Sequence, residues 1–154
     1  MNITTKRFLK QSTSEWFLFI CAVVLLITGG LKLWSAASGS TGYLESPSML
    51  KFITNRQLFV LAGLIEVFAA NRLFTSGSVY FRALFAAWLG TIFLSWRIAM
   101  WLTGYRLCPC LGTAYDWLGV DTFVIDLFLK CVIGFMMIGG YGFAYYWRRR
   151  IAII

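Results

Sequence analysis

Cys108 and Cys110 flank Pro109 in the run Arg106-Leu107-Cys108-Pro109-Cys110-Leu111-Gly112. They are two of the chain's four cysteines. A disulfide between side chains at i and i+2 closes a small, strained ring. Strain makes such a bridge easy to reduce, so it is labile rather than structural. Pro109 fixes φ, lacks an N–H and disfavours helix at Cys108, which holds both sulfurs on a turn. The chemistry expected of Cys108 and Cys110 is thiol–disulfide exchange; the plainer alternative is a tight loop with two inert thiols. The chain has no histidine, which removes a Cys–His nucleophile pair, the usual general base and the commonest metal ligand.

The elements around this turn belong to a membrane protein. The 154 residues are 60% hydrophobic and only 13% charged, where a soluble domain carries about a quarter. Apolar runs at about 16–34, 56–74, 79–102 and 122–147 are each long enough to span a bilayer at roughly 20 residues. The fold expected is all-α: one domain, a four-helix antiparallel transmembrane bundle, since lipid tolerates no unpaired backbone. The first run, with Ser35-Ala36-Ala37-Ser38 behind it, also has the outline of a signal peptide, and is read as a retained helix. Met49 to Ile53 suggest a short interfacial segment. The cysteine loop falls at 103–121.

The net charge of +8 is no nucleic-acid signal, because the cations flank apolar runs and set topology. Lys6, Arg7, Lys10, Arg72, Arg82 and Arg148 to Arg150 fall on one side. Lys32, Lys51, Arg56, Arg97, Arg106 and Lys130 fall on the other. The bias puts both termini in the cytoplasm. The cysteine loop then faces outward, into the periplasm if the membrane is a bacterial inner membrane, a compartment that permits disulfides.

Other residues invite chemistry. Trp96, Trp101, Tyr105, Tyr115 and Trp117 cluster at the outer interface. They read as an aromatic belt, or, for Trp101, Tyr105 and Trp117, as the lining of a shallow quinone pocket. Asp126 and Lys130 form an i,i+4 pair with the acid first. Arg97 falls at similar depth, about 8 Å below the outer boundary. This cluster is either a structural ion-pair set or, with Arg106, a positive environment that favours a thiolate. Glu66 lies about 9 Å from the cytoplasmic boundary by helix rise. Arg82 is its expected partner, with Arg72 second. Cys21 and Cys131 lie inside helices at different depths, so neither a bridge nor a four-cysteine zinc site is expected. Gly63, Ala70, Ala83, Ala87, Gly90, Gly134 and Gly139 are read as sites of close helix approach.

Gly29-Gly30-Leu31-Lys32-Leu33 resembles the G-x-x-K-L element of the MauE/DoxX superfamily of small four-helix membrane proteins. Pro47 and Glu66 match its loop proline and its acidic residue in the second helix. Cys108-Pro109-Cys110-Leu111-Gly112 resembles the C-x-C-[FL]-G element of the redox-associated MauE-like branch. The resemblance covers most of the chain, and only the polar stretch 35–41 makes the first loop long for the family. It implies a membrane protein linked to thiol–disulfide traffic outside the cytoplasm, with Cys108 and Cys110 exchanging with a thioredoxin-like partner. Electrons would pass to, or come from, a quinone or another membrane protein. The competing reading is a non-catalytic accessory subunit of a larger membrane complex, because short loops leave little surface for a substrate.

Overall fold

The structure is a computed structural model that describes residues 3–38, 52–75, 77–103 and 121–151. They form four helices: α1 (Ile3–Ser38), α2 (Asn55–Thr75), α3 (Val79–Leu102) and α4 (Thr122–Ile151). Each contains a stretch long and apolar enough to cross a membrane, the hallmark of a multi-pass membrane protein. The helix starts carry sequence-encoded caps. Thr54 and Gln57 make a reciprocal capping box before α2, the Gln57 N–H donating to Thr54 Oγ1 and the Thr54 N–H to Gln57 Oε1. Ser78 Oγ accepts from the Phe81 N–H at the head of α3. Asp121 Oδ1 accepts from the Phe123 N–H at the head of α4. Gly77 takes a positive φ of 92° in the turn between α2 and α3, where a Cβ would be strained.

The helices pack as two antiparallel hairpins, α1 with α2 and α3 with α4, which touch each other far less than they touch internally. Small residues set the close approaches. At the first crossing the Gly63 carbonyl lies where a Cβ on Gly29 would be only 3.0 Å away. In the second hairpin a Cβ on Gly140 would meet the Ala83 carbonyl and Ala87 at 2.8 Å. The Phe17 ring of α1 fills the space beside Gly139. Without a hydrophobic drive between helices in lipid, such backbone approach is what earns dispersion contacts. Gly134 departs from the expectation, because nothing lies within 4 Å of its missing Cβ.

The apolar core joins the hairpins at one end, near the α2–α3 turn. There Leu18 and Cys21 of α1 meet Ala70 and Leu73 of α2, Ala86 of α3 and Met136 of α4. Arg82 reinforces that end by donating to Glu15 on α1 and to the Leu73 carbonyl, one of the last carbonyls of α2 that has no helical partner. Toward the opposite end the hairpins part around a cavity. The outer surface is apolar, as a lipid-facing surface must be. Trp16 and Trp34 are both exposed and stand 18 positions apart on α1, about 27 Å by helix rise, close to the thickness of a hydrocarbon core.

The two glycine environments separate packing from propensity. Gly140→Leu should lower the melting temperature in detergent, overpacking costing about 1–3 kcal/mol. Gly134→Ala should be neutral or raise it slightly, since alanine favours helix by up to about 1 kcal/mol. Equal losses in both would refute the assigned α3–α4 crossing.

Candidate functional site

The site grows from the Gly29–Gly63 crossing. Gly29 and Lys32 lie three apart and share a face of α1; Gly63 and Glu66 do the same on α2. Side chains lean toward the N-terminus of their own helix. In an antiparallel pair Lys32 and Glu66 therefore lean toward each other. Lys32 Nζ pairs with Glu66 Oε1. The Thr28 hydroxyl donates to Glu66 Oε2 at 3.0 Å. All three are buried.

This overturns the expected partners of Glu66. Arg82 is engaged by Glu15 at 2.6 Å, and Arg72 lies over the Phe68 ring at 5.7 Å. Two features account for the difference. Helix α1 begins at Ile3, so Glu15, ahead of the first apolar run, lies inside it and is available to Arg82. Lys32 is long enough to fold back along α1 and reach Glu66 across the helix pair.

The second hairpin carries its own clamp. Arg97 Nη2 on α3 pairs with Asp126 Oδ1 on α4. Lys130 Nζ reaches the other oxygen of Asp126 at 2.8 Å. Asp126 is 7% exposed at its side chain and Lys130 57%, so the lysine head stands outward while the carboxylate stays within. The expected cluster of Arg97, Asp126 and Lys130 forms as read. Among the described residues Arg97 Nη1 is buried without a hydrogen-bond partner, a deficit of about 1–3 kcal/mol wherever no acceptor arrives.

Between the clamps lies a cavity of about 300 Å³, at the small end of the range for ligand sites. Its wall is apolar apart from a few groups: Thr28, Lys32 and Glu66 on one hairpin, Arg97 on the other, and Asn55 at the head of α2. Of the residues that line it, Leu61 and Ile65 on α2 and Ile92 on α3 are also exposed on the outer surface. The opening therefore lies between α2 and α3, on a lipid-facing side.

The aromatic residues divide. Trp96 lines the cavity. Trp101 is 71% exposed and does not. Cys108, Cys110, Arg106, Tyr105, Tyr115 and Trp117 lie outside the described residues, as do Pro47 and Lys51. Thr103 and Asp121, which bracket the cysteine segment, are at the same end of the bundle as the cavity and the Arg97–Asp126 clamp. Cys21 is buried in the core and Cys131 is exposed, and both are free thiols. Among the described residues no group of three or more Cys, Asp or Glu is placed to hold a metal. Comparison with family models, curated proteins and solved structures finds no match for this chain.

The Lys32–Glu66 pair is testable by charge removal. Glu66→Gln leaves Lys32 without a counter-charge and should destabilise by about 3–5 kcal/mol, read as a lower melting temperature in detergent. Lys32→Met combined with Glu66→Gln should recover roughly half of that or more, because breaking a buried pair costs more than deleting it. A double variant as unstable as the sum of both singles would refute the pairing.

Proposed function

We propose that this chain is a four-span, antiparallel bundle of the MauE/DoxX type in a bacterial inner membrane, with both termini cytoplasmic and the Cys108–Cys110 loop periplasmic. Its function is thiol–disulfide exchange through that loop. In the oxidised state the Cys108–Cys110 bridge is attacked by a thiolate of a periplasmic thioredoxin-like protein. A mixed disulfide forms, the second thiol of the partner resolves it, and the partner leaves oxidised while Cys108 and Cys110 hold two electrons and two protons. A quinone, or a neighbouring membrane protein, takes those electrons and protons and restores the bridge. The same steps run in reverse when electrons arrive from the membrane.

The observation that carries this reading is the placement of the Arg97–Asp126–Lys130 cluster. Two cations share one carboxylate, at the end of the bundle from which the cysteine segment departs at Thr103 and to which it returns at Asp121. A net positive cluster beside a thiol favours the thiolate, the reactive form. The Lys/Arg distribution supports the orientation. The assignment to that superfamily rests on the sequence resemblance at Gly29, Lys32, Pro47, Glu66 and the Cys108–Gly112 run.

The accessory-subunit reading has its own support. Helix α4 is the least buried of the four spans, and Phe123, Leu127, Phe128 and Ile138 are exposed along it. A neighbouring subunit covers such a face as well as lipid does.

Alkylation separates the two. Protein isolated without reductant and unfolded in an alkylating agent should gain two adducts, on Cys21 and Cys131, by intact mass, and four only after reduction. A membrane-impermeant maleimide applied to reduced whole cells should label Cys108 or Cys110. Four adducts before reduction would sink the redox reading and leave the accessory role.

A further inference from the structure

We infer that the cavity between the hairpins is a binding site for a membrane-borne, single-chain anionic amphiphile, its carboxylate on Arg97 and its chain among the apolar walls. The inference does not depend on the thiol chemistry proposed above.

The route of entry points to the bilayer as the source. The exposed rim residues Leu61, Ile65 and Ile92 are all aliphatic and lie on α2 and α3. These two helices, although joined by a short turn, make little contact with each other. A ligand dissolved in lipid meets this gap directly, whereas a water-soluble one would have to cross an apolar surface.

The size points to one chain. About 300 Å³ is the lower limit for drug-sized ligands and suits one acyl chain better than two.

The charge of the head follows from the unmet valences in the wall. Among the described residues the charged ones lining the cavity are Lys32, Glu66 and Arg97; with Asp126 and Lys130 behind Arg97, the two clamps hold three cations against two carboxylates. Glu66 is already engaged on both oxygens, by Lys32 and by Thr28. Asp126 stands outside the lining, engages Arg97 through Nη2 and is drawn on by Lys130 as well. Among the described residues, what remains in the lining is the Arg97 Nη1 donor, buried and without a hydrogen-bond partner. An acceptor oxygen satisfies it. An anionic one also offsets the surplus positive charge, and charge-assisted hydrogen bonds are roughly twice as strong as neutral ones. A neutral carbonyl head supplies the first benefit and not the second.

The test uses the full chain in a neutral detergent, with native mass spectrometry read during titration with oleate, methyl oleate, decylubiquinone or a phosphatidylglycerol. Oleate should bind one per chain, with methyl oleate about tenfold weaker or more, the value of a hydrogen bond to a charged group. Ala62→Phe, at a lining position that belongs to neither clamp, fills the cavity from α2 and should abolish the oleate adduct while the protein keeps its fold, read as a melting temperature near that of the parent. Arg97→Gln alone leaves Asp126 without its arginine and risks misfolding. The paired variant Arg97→Gln/Asp126→Asn removes both charges, and should lose oleate while keeping its melting temperature near that of the parent. Equal binding of oleate and methyl oleate, or an oleate adduct that survives Ala62→Phe, would overturn the inference. So would tighter binding of decylubiquinone, which would make the cavity a quinone site, or of the phosphatidylglycerol, which would make the ligand a two-chain phospholipid.

Discussion

A lysine and a glutamate buried together between apolar helices set the terms for the rest of this molecule. Each alone would be expensive in the interior of a membrane. Together, and with the Thr28 hydroxyl on the second carboxylate oxygen, they are neutral and largely satisfied. Their meeting demands close helices, which the Gly29–Gly63 crossing supplies, and antiparallel directions, which bring two N-terminally leaning side chains together. Sequence, crossing geometry and electrostatics are one constraint here. A side chain at Gly63 would strike Leu33 as well as the Gly29 carbonyl and push Glu66 away from its lysine.

The second hairpin solves the same problem with Arg97 and Asp126, and the two solutions are self-contained. The ion pairs at this end run within hairpins, α1 to α2 and α3 to α4. A polar link that crosses between hairpins, Arg82 to Glu15, lies at the other end, beside the apolar core. This division fits a buried apolar core that joins the hairpins near the α2–α3 turn, where a shallower pocket opens beside Glu15 and Arg82, and a more enclosed cavity away from it. Alanines and glycines bring the helices together at the turn. At the far end bulky lining residues such as Phe59, Trp96 and Met100 face a space that, among the described residues, no ion pair bridges.

Much of this was legible in the sequence. Four apolar runs gave four helices; α2 and α3 keep within a residue of their runs, whereas α1 begins thirteen residues before its run and α4 ends four residues after. The Asp126–Lys130 pair followed from i,i+4 spacing, and Arg97 from helix rise alone. The pairing of Glu66 was not reached, although Lys32 and Glu66 both stood in the motif that suggested a family. Ranking partners by side of the membrane placed Lys32 too far away, because it treated residues as points at the depth of their Cα atoms. Lysine spans several ångströms and leans back along its helix, so depth along the axis was the wrong measure. The cavity was not legible either. An aromatic cluster suggested a pocket at the interface, yet Trp101 turns outward and the cavity is walled mainly by aliphatic residues, which periodicity cannot tell from core.

Arg97 is where the two proposed activities meet. Its cluster holds two cations and one carboxylate. The surplus positive charge is what would favour a thiolate at Cys108 or Cys110, and it is also what would draw an anionic head into the cavity. One charge cannot serve both in full. An anion seated on Arg97 neutralises the field that favours the thiolate, and a thiolate nearby neutralises the charge that holds the anion, so each weakens the other by the same factor. In the reduced protein, oleate should therefore slow alkylation of Cys108 and Cys110 at neutral pH, and methyl oleate should not. The sign is the decisive part: faster alkylation with oleate would mean that the ligand acts by moving the helices rather than through charge. No change, with oleate bound, would mean that the cysteine segment lies beyond the reach of Arg97, which at physiological salt is about 8 Å across solvent and longer through the apolar interior.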